Sequence, residues 1–251
     1  LYFEDDDVLV INKPAGVLSV PGRGADKQDC VLSRLHDSGH SALVVHRLDT
    51  ATSGLMVFAK HLPAQRALSH AFATRQTHKL YEAVVEGHPI GHITHHASEQ
   101  GIQQSSDDEW NSIEASLIID WPNRPMSKVC EQTGKAALTR WQVITPSQTD
   151  ANHTRLRLQP VTGRTHQLRV HLMHIGHPIV GDALYNQAYQ HLTNEGEQAP
   201  ARLQLHATHL RVPRMQCEGA FIGTAQHRFD NGRATRVTRH GLSCCYDVRH
   251  C

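Results

Sequence analysis

The chain has 251 residues, 39% of them hydrophobic and 20% charged, with a formal net charge of +1. That is ordinary for a globular protein of one large or two small domains, long enough to bury a core. No apolar run approaches the roughly 20 residues of a membrane-spanning helix, and four acids straight after Leu1-Tyr2-Phe3 do not make a secretory leader. The near-neutral balance lacks the strongly basic signature of many nucleic-acid binders, although 21 histidines and the group Arg155, Arg157, Arg164 and Arg169 allow a locally positive surface. Six cysteines without a Cys-x-x-Cys pair point to a reducing cytoplasm rather than a disulfide framework.

In chain order, Val8 to Ile11 reads as a buried strand ended by the turn Asn12 to Gly16. Cys30 to Leu35 suits a short helix. Residues 42 to 60 read as strand, turn, strand, with Ala42 to Val45 and Leu55 to Ala59 as the apolar arms. After Pro63, Ala64, Ala67, Leu68, Ala71 and Phe72 recur at helical spacing, which predicts an amphipathic helix with those residues in the core. Lys79 to Glu86 alternates as a strand does, with Tyr81, Ala83 and Val85 on one face and Leu80 and Val84 on the other. His88 to Ser112 is polar and aperiodic and reads as a long mobile loop. Ile113 to Ile119, Ala136 to Ile144 and Thr154 to Val161 follow as three strands. Thr165 can cap a helix carrying Leu168, Leu172 and Ile175, which Gly176 ends. Leu203 to Val212 is a last strand. With no internal repeat and no linker, the pattern implies one α+β domain with a mixed, largely antiparallel sheet and flanking helices.

The segment that carries chemistry is His46-Arg47-Leu48-Asp49-Thr50-Ala51-Thr52-Ser53-Gly54. It places a carboxylate and a guanidinium in a turn between two buried strands, where rigid elements can hold them. A lone Asp in a turn usually bonds only its own backbone, but this segment has company. Pro160-Val161-Thr162-Gly163-Arg164-Thr165-His166-Gln167-Leu168-Arg169-Val170-His171 is a second dense block. Val10 to Gly16, Leu18 to Arg23, Asp120 to Pro125 and Gly176 to Asp182 are further ones.

Together these blocks resemble, in order, the motifs of the ribosomal large subunit pseudouridine synthase A family, over roughly the first 210 residues. The resemblance implies a pseudouridine synthase catalytic fold with a central cleft, spanning residues 1–216 with an insertion at 88–112. It implies an isomerase that cleaves the glycosidic bond of a uridine, turns the base and rejoins it through C5. Asp49 matches the family's indispensable carboxylate. Arg164 matches the residue that pairs with it, Tyr81 the ring that stacks on the flipped uracil, Leu168 an apolar position near the base, and Arg47 the residue that fills the vacated space. Lys13, Arg23, His46 and Arg169 are weaker candidates for RNA contacts. The implied partner is structured RNA, namely 23S ribosomal RNA and the anticodon stem-loop of tRNA, bound by a cytoplasmic monomer that needs no cofactor and no metal.

Two features stand apart. From Cys217 the resemblance fails, and a tail with four of the six cysteines and five arginines runs to Cys251. It is expected to be disordered or frame-shifted, with a basic RNA-binding arm as the alternative. His171, His174 and His177, or His92, His95 and His96, could instead serve a zinc hydrolase, although no His-Glu-x-x-His motif accompanies them. A catalytically silent RNA-binding protein is the third possibility, and the intact Asp49 block speaks against it.

Overall fold

The computed structural model describes residues 1–91, 93–94, 110–144, 152–187, 202–214 and 245–249. The chain divides into two compact units, Leu1–Lys79 with His206–Cys251, and Leu80–Leu205. Both boundaries fall within extended segments, His78–Glu86 and Leu205–Pro213, so no Gly- or Pro-rich linker marks them. His92, His95, His96, most of the expected 88–112 loop and the tail from Cys217 to Cys244 lie outside the described residues.

In the first unit β1 (Phe3–Glu4) pairs antiparallel with β2 (Val8–Lys13), and β2 pairs antiparallel with β4 (Ser53–Ala59). The other edge of β4 is shared by β3 (Leu43–Val44), antiparallel at one end, and β12 (Leu205–Pro213), parallel at the other. β13 (Cys245–Arg249) adds antiparallel to β12. Alternation decides the core. Val8 and Val10, Leu55 and Val57, Leu210 and Val212, and Tyr246 and Val248 are two apart on their strands and bury one face together. Gly54 is where β12 comes closest: at φ 118 its missing Cβ would overlap the backbone of Ala207, so only glycine permits that parallel pairing.

Two helices cover this unit. α1 (Val31–Asp37) starts at Cys30, whose thiol accepts the Ser33 N–H while the Ser33 hydroxyl accepts the Cys30 N–H. α2 (Leu62–Ala73) starts at His61, whose Nδ1 accepts the Ala64 N–H at 3.2 Å. Ala64, Leu68 and Ala71 are buried on α2 as expected, but Ala67 is exposed. The helix packs through a narrower stripe, four and three residues apart, than its composition suggests.

In the second unit β5 (His78–Glu86), β11 (His153–Pro160) and β10 (Leu138–Ile144) run antiparallel in that order. β7 (Asn111–Glu114) joins β10 antiparallel and β6 (Ile93–Thr94) joins it parallel. A separate hairpin is formed by β8 (Leu117–Ile119) and β9 (Ser127–Val129). The single strand expected over Ile113 to Ile119 is thus two. The chain leaves the sheet at Ala115 and Ser116, where the Ser116 N–H donates to Glu131 Oε1 at 2.9 Å. α3 (Gln167–His174) begins at His166, in the left-handed conformation at φ 55, with no side-chain cap. Thr165 therefore does not cap it. Gln167 to Leu172 are all buried, so the first six residues of α3 are enclosed on every side rather than along one stripe, and only Met173 and His174 at its end are exposed. The expected α+β class with largely antiparallel strands is borne out. No helix among the described residues is long and apolar enough to cross a membrane.

Candidate active site

The candidate residues divide between the units. Lys13, Arg23, His46, Arg47 and Asp49 belong to the first; Tyr81, Arg164, Leu168 and Arg169 belong to the second.

Asp49 lies in the turn that feeds β4. Because β4 is buried along its full length, its start is a fixed point, and the turn is fastened on both sides of the carboxylate. On one side Ser19 Oγ donates to the Leu48 carbonyl at 2.7 Å and accepts the Leu48 N–H at 3.2 Å. On the other, the Thr50 carbonyl accepts from the Gly16 N–H at 2.8 Å and from Lys13 Nζ at 3.0 Å. The Thr52 N–H closes the turn onto the Asp49 carbonyl at 3.1 Å. Asp49 itself is half-buried, and its neighbours Arg47 and Thr50 are exposed. The result is a carboxylate on a preorganised loop with access from outside, which suits a group that must meet a substrate atom.

Lys13 has no exposed surface. Its ammonium also donates to the carbonyls of Pro14 at 2.9 Å and Val17 at 2.8 Å. Burial pulls its pKa down to about 8, and the Asp49 carboxylate works in the opposite direction. The expected RNA contact is corrected here, since a buried ammonium whose protons go to three main-chain carbonyls cannot also reach a phosphate. His46 is corrected similarly. Its ring stacks on Phe72 with centroids 4.6 Å apart, and its Nε2 accepts the Val57 N–H at 3.1 Å, one step beyond where β3 stops pairing with β4. Burial, aided by the nearby Lys79 charge, holds its pKa down at about 3, so a neutral imidazole extends the ladder. Arg23 and Arg47 are exposed and remain available to a ligand.

In the second unit the loop that carries Arg164 is organised around Gln167. Its Oε1 accepts from Thr162 Oγ1 at 2.7 Å and from the Arg164 N–H at 3.0 Å; its Nε2 donates to the Leu138 carbonyl at 2.9 Å and to Thr139 Oγ1 at 3.0 Å. One buried amide thereby ties the 162–164 loop to β10. Arg164 is half-buried, and its Nε and Nη2 both donate to the Ala136 carbonyl at 3.2 Å, committing one edge of the guanidinium to the main chain. Arg169 corrects the third expected RNA contact. It is 5% exposed and grips the fully buried Asp182 through Nε at 2.7 Å and Nη2 at 2.6 Å. Asp182 Oδ1 also accepts the N–H groups of Leu184 and Tyr185, and the guanidinium lies over the Tyr185 ring. Such a satisfied bidentate pair is a structural bolt.

Tyr81 is half-buried opposite Leu158 on β5, sharing a face with the buried Ala83 and Val85. Leu168 is buried in α3. Of the histidines considered for zinc, His171 bonds the Ala115 carbonyl and His177 the Glu86 carbonyl. Among the described residues no three His, Cys, Asp or Glu side chains gather as a metal site.

Residues 7–174 match the family model described as RNA pseudouridylate synthase, a span that holds both the Asp49 turn and the Arg164 loop. The chain belongs to the RNA pseudouridylate synthase family. It is 46% identical over 212 residues to the dual-specificity RNA pseudouridine synthase RluA of Vibrio parahaemolyticus, covering 84% of this chain and 76% of that protein. It is 41% identical over 227 residues to the protein of the same name from Yersinia pestis, covering 90% and 96%. Among solved structures, human RNA pseudouridylate synthase domain containing 1 is similar at a TM-score of 0.62 and 27% identity, covering 84% of this chain and 77% of that one.

Several residues that hold the candidate side chains within each unit went unnoticed in sequence. Ser19 and Asp182 fall inside motif blocks, so position alone could have flagged them. Gln167 is within the Arg164 block but looks like any polar helix residue. Tyr185 had no signal at all, because its role depends on what folds against it.

Proposed function

We propose that this family member converts specific uridines to pseudouridine in 23S ribosomal RNA and in the anticodon stem-loop of tRNA, as a cytoplasmic monomer. The observation that carries it is the Asp49 turn, fastened at Leu48 and at Thr50, within a chain of this family. The dual-specificity names of the relatives support two RNA substrates.

In this mechanism the target nucleotide leaves its stack at a cost of a few kcal/mol. The ring of Tyr81 stacks on the flipped uracil and returns about 1–3 kcal/mol, while Arg47 fills the space left behind. The Asp49 carboxylate acts at the sugar, either by attack on C1′ or by removal of a sugar proton. The C1′–N1 bond breaks, the uracil turns, C1′ bonds to C5, and the C5 proton is lost as N1 regains one. No redox equivalent enters, so no cofactor is expected. Arg164 is the proposed partner of Asp49, since a guanidinium fork can fix the orientation of a carboxylate. Leu168 serves as the apolar backing of the base site, and Arg23 as an outlying phosphate contact.

Mapping pseudouridine in RNA from cells with and without the gene, and with an Asp49→Asn allele, tests this proposal. Loss of defined ribosomal and tRNA pseudouridines in both mutants is expected. An unchanged map would refute it.

A further inference from the structure

The tip of the β8–β9 hairpin presents an indole to solvent. Trp121 is 64% exposed and is the one exposed Trp, Tyr or Phe among the described residues. Large aromatic rings are ordinarily buried or used for binding. The guanidinium of Arg124 stands over one face, 3.1 Å from the ring centroid, an arrangement that favours a cation electrostatically. No carboxylate pairs with Arg124 among the described residues, whereas the nearby Lys128 is neutralised by Asp120 at 3.0 Å.

The loop that carries this ring is firmly built. Trp121–Asn123 form a 3-10 turn. The Asp120 N–H donates to the Met126 carbonyl at 2.8 Å, the Met126 N–H to the Asn123 carbonyl at 3.0 Å, and the Asn123 N–H to the Asp120 carbonyl at 3.0 Å. The Asp120 carboxylate also takes Asn123 Nδ2 at 2.9 Å. The ring is therefore displayed by a closed hydrogen-bonded tip.

That tip shares a frame with the Arg164 loop. The Ser127 N–H donates to the Tyr185 hydroxyl at 2.7 Å, and the same hydroxyl bonds His166 Nδ1 at 2.7 Å. Lys135 pairs with Leu117 of β8, and its neighbour Ala136 accepts the Arg164 guanidinium. An RNA that reaches Arg164 is offered a second foothold in the same unit.

We infer that Trp121 and Arg124 form a second RNA contact, which takes an unpaired base on the open face of the indole and an adjoining phosphate on the guanidinium. The inference rests on the proposed RNA substrate. Indole stacking accepts any base, a paired base inside a duplex offers no face to it, and the planar guanidinium fork suits phosphate. Loop nucleotides beside the target uridine meet those requirements.

The test uses the full chain and a hairpin transcript containing a loop uridine that the wild type converts, with a fully paired duplex of equal length as control. Trp121→Ala should bind the hairpin at least about fivefold more weakly, with duplex affinity, thermal midpoint and single-turnover rate at saturating hairpin unchanged. Trp121→Phe should recover most of the loss. Arg124→Gln should weaken binding and reduce the slope of log affinity against log salt by about one. A Trp121→Ala protein that binds the hairpin within twofold of the wild type, or loses duplex and hairpin affinity equally, overturns the inference. In the first of those cases the ring would be left for a protein contact, while modification by the wild type would leave the proposed function standing. If the wild type converts no uridine in any hairpin transcript, both fall together.

Discussion

Lys13 Nζ donates to the Thr50 carbonyl at 3.0 Å, so a wholly buried ammonium holds the main chain one residue past Asp49. The contact joins residues 37 apart in sequence. Replacing Lys13 by Met leaves the carbonyls of Pro14, Val17 and Thr50 without their shared donor. A loss of about 1–3 kcal/mol in urea unfolding at neutral pH is expected, together with a slower single-turnover rate as the Asp49 turn loosens. Unchanged stability would mean that water replaces the ammonium freely.

The same residue sets a pH dependence. Burial lowers the folded-state pKa of Lys13 to about 8, against about 10.4 in an unfolded chain. Between those values the unfolded chain binds more protons, so this residue's contribution to stability rises with pH across that window. Below about pH 8 both states are charged and the desolvation cost is complete. The gain across the window is on the order of 3 kcal/mol. Urea midpoints of wild type and Lys13→Met compared from about pH 7 to about pH 10 should diverge in favour of the wild type. Parallel curves would show that Lys13 titrates normally.

Asp49→Asn keeps the shape of the side chain and removes its charge. Pseudouridine formation is expected to disappear while RNA affinity stays within a few-fold, because the turn is held by Ser19, Gly16 and Lys13 rather than by the carboxylate. Multiple turnover by the purified Asn variant would exclude Asp49 from the mechanism.

Tyr81 distinguishes stacking from support. If the ring is a platform, Tyr81→Phe retains much of the activity and Tyr81→Ala slows single turnover at least about tenfold. If it is only a strand residue opposite Leu158, Ala lowers the thermal midpoint and leaves the turnover of the folded fraction near normal. A Phe variant as poor as Ala would instead implicate the hydroxyl in proton transfer.

Asp182→Ala strips the buried Arg169 of its counter-charge and the N–H groups of Leu184 and Tyr185 of an acceptor. A destabilisation of about 3–5 kcal/mol is expected, measurable as a shift in the urea midpoint. A shift under about 1 kcal/mol would mean that Arg169 finds water or another partner.

The sequence by itself determined the family, the α+β class and the segment around Asp49, because those are written in local signals. A continuous apolar run marks β4, alternation marks β5, helical spacing marks α2, and the His46 to Gly54 block is contiguous. Even Gly54, a motif position, has a reason in the backbone of Ala207 that only the fold displays. What the tertiary structure decided is the fate of the cations. Lys13, Arg169 and Arg23 are all plausible phosphate contacts in a string of letters, yet Lys13 is spent on three carbonyls and Arg169 on Asp182, and Arg23 alone of the three faces solvent. A charge can be buried only where the fold brings together enough acceptors to replace its water. No periodicity or propensity within a window reports where those acceptors will come from.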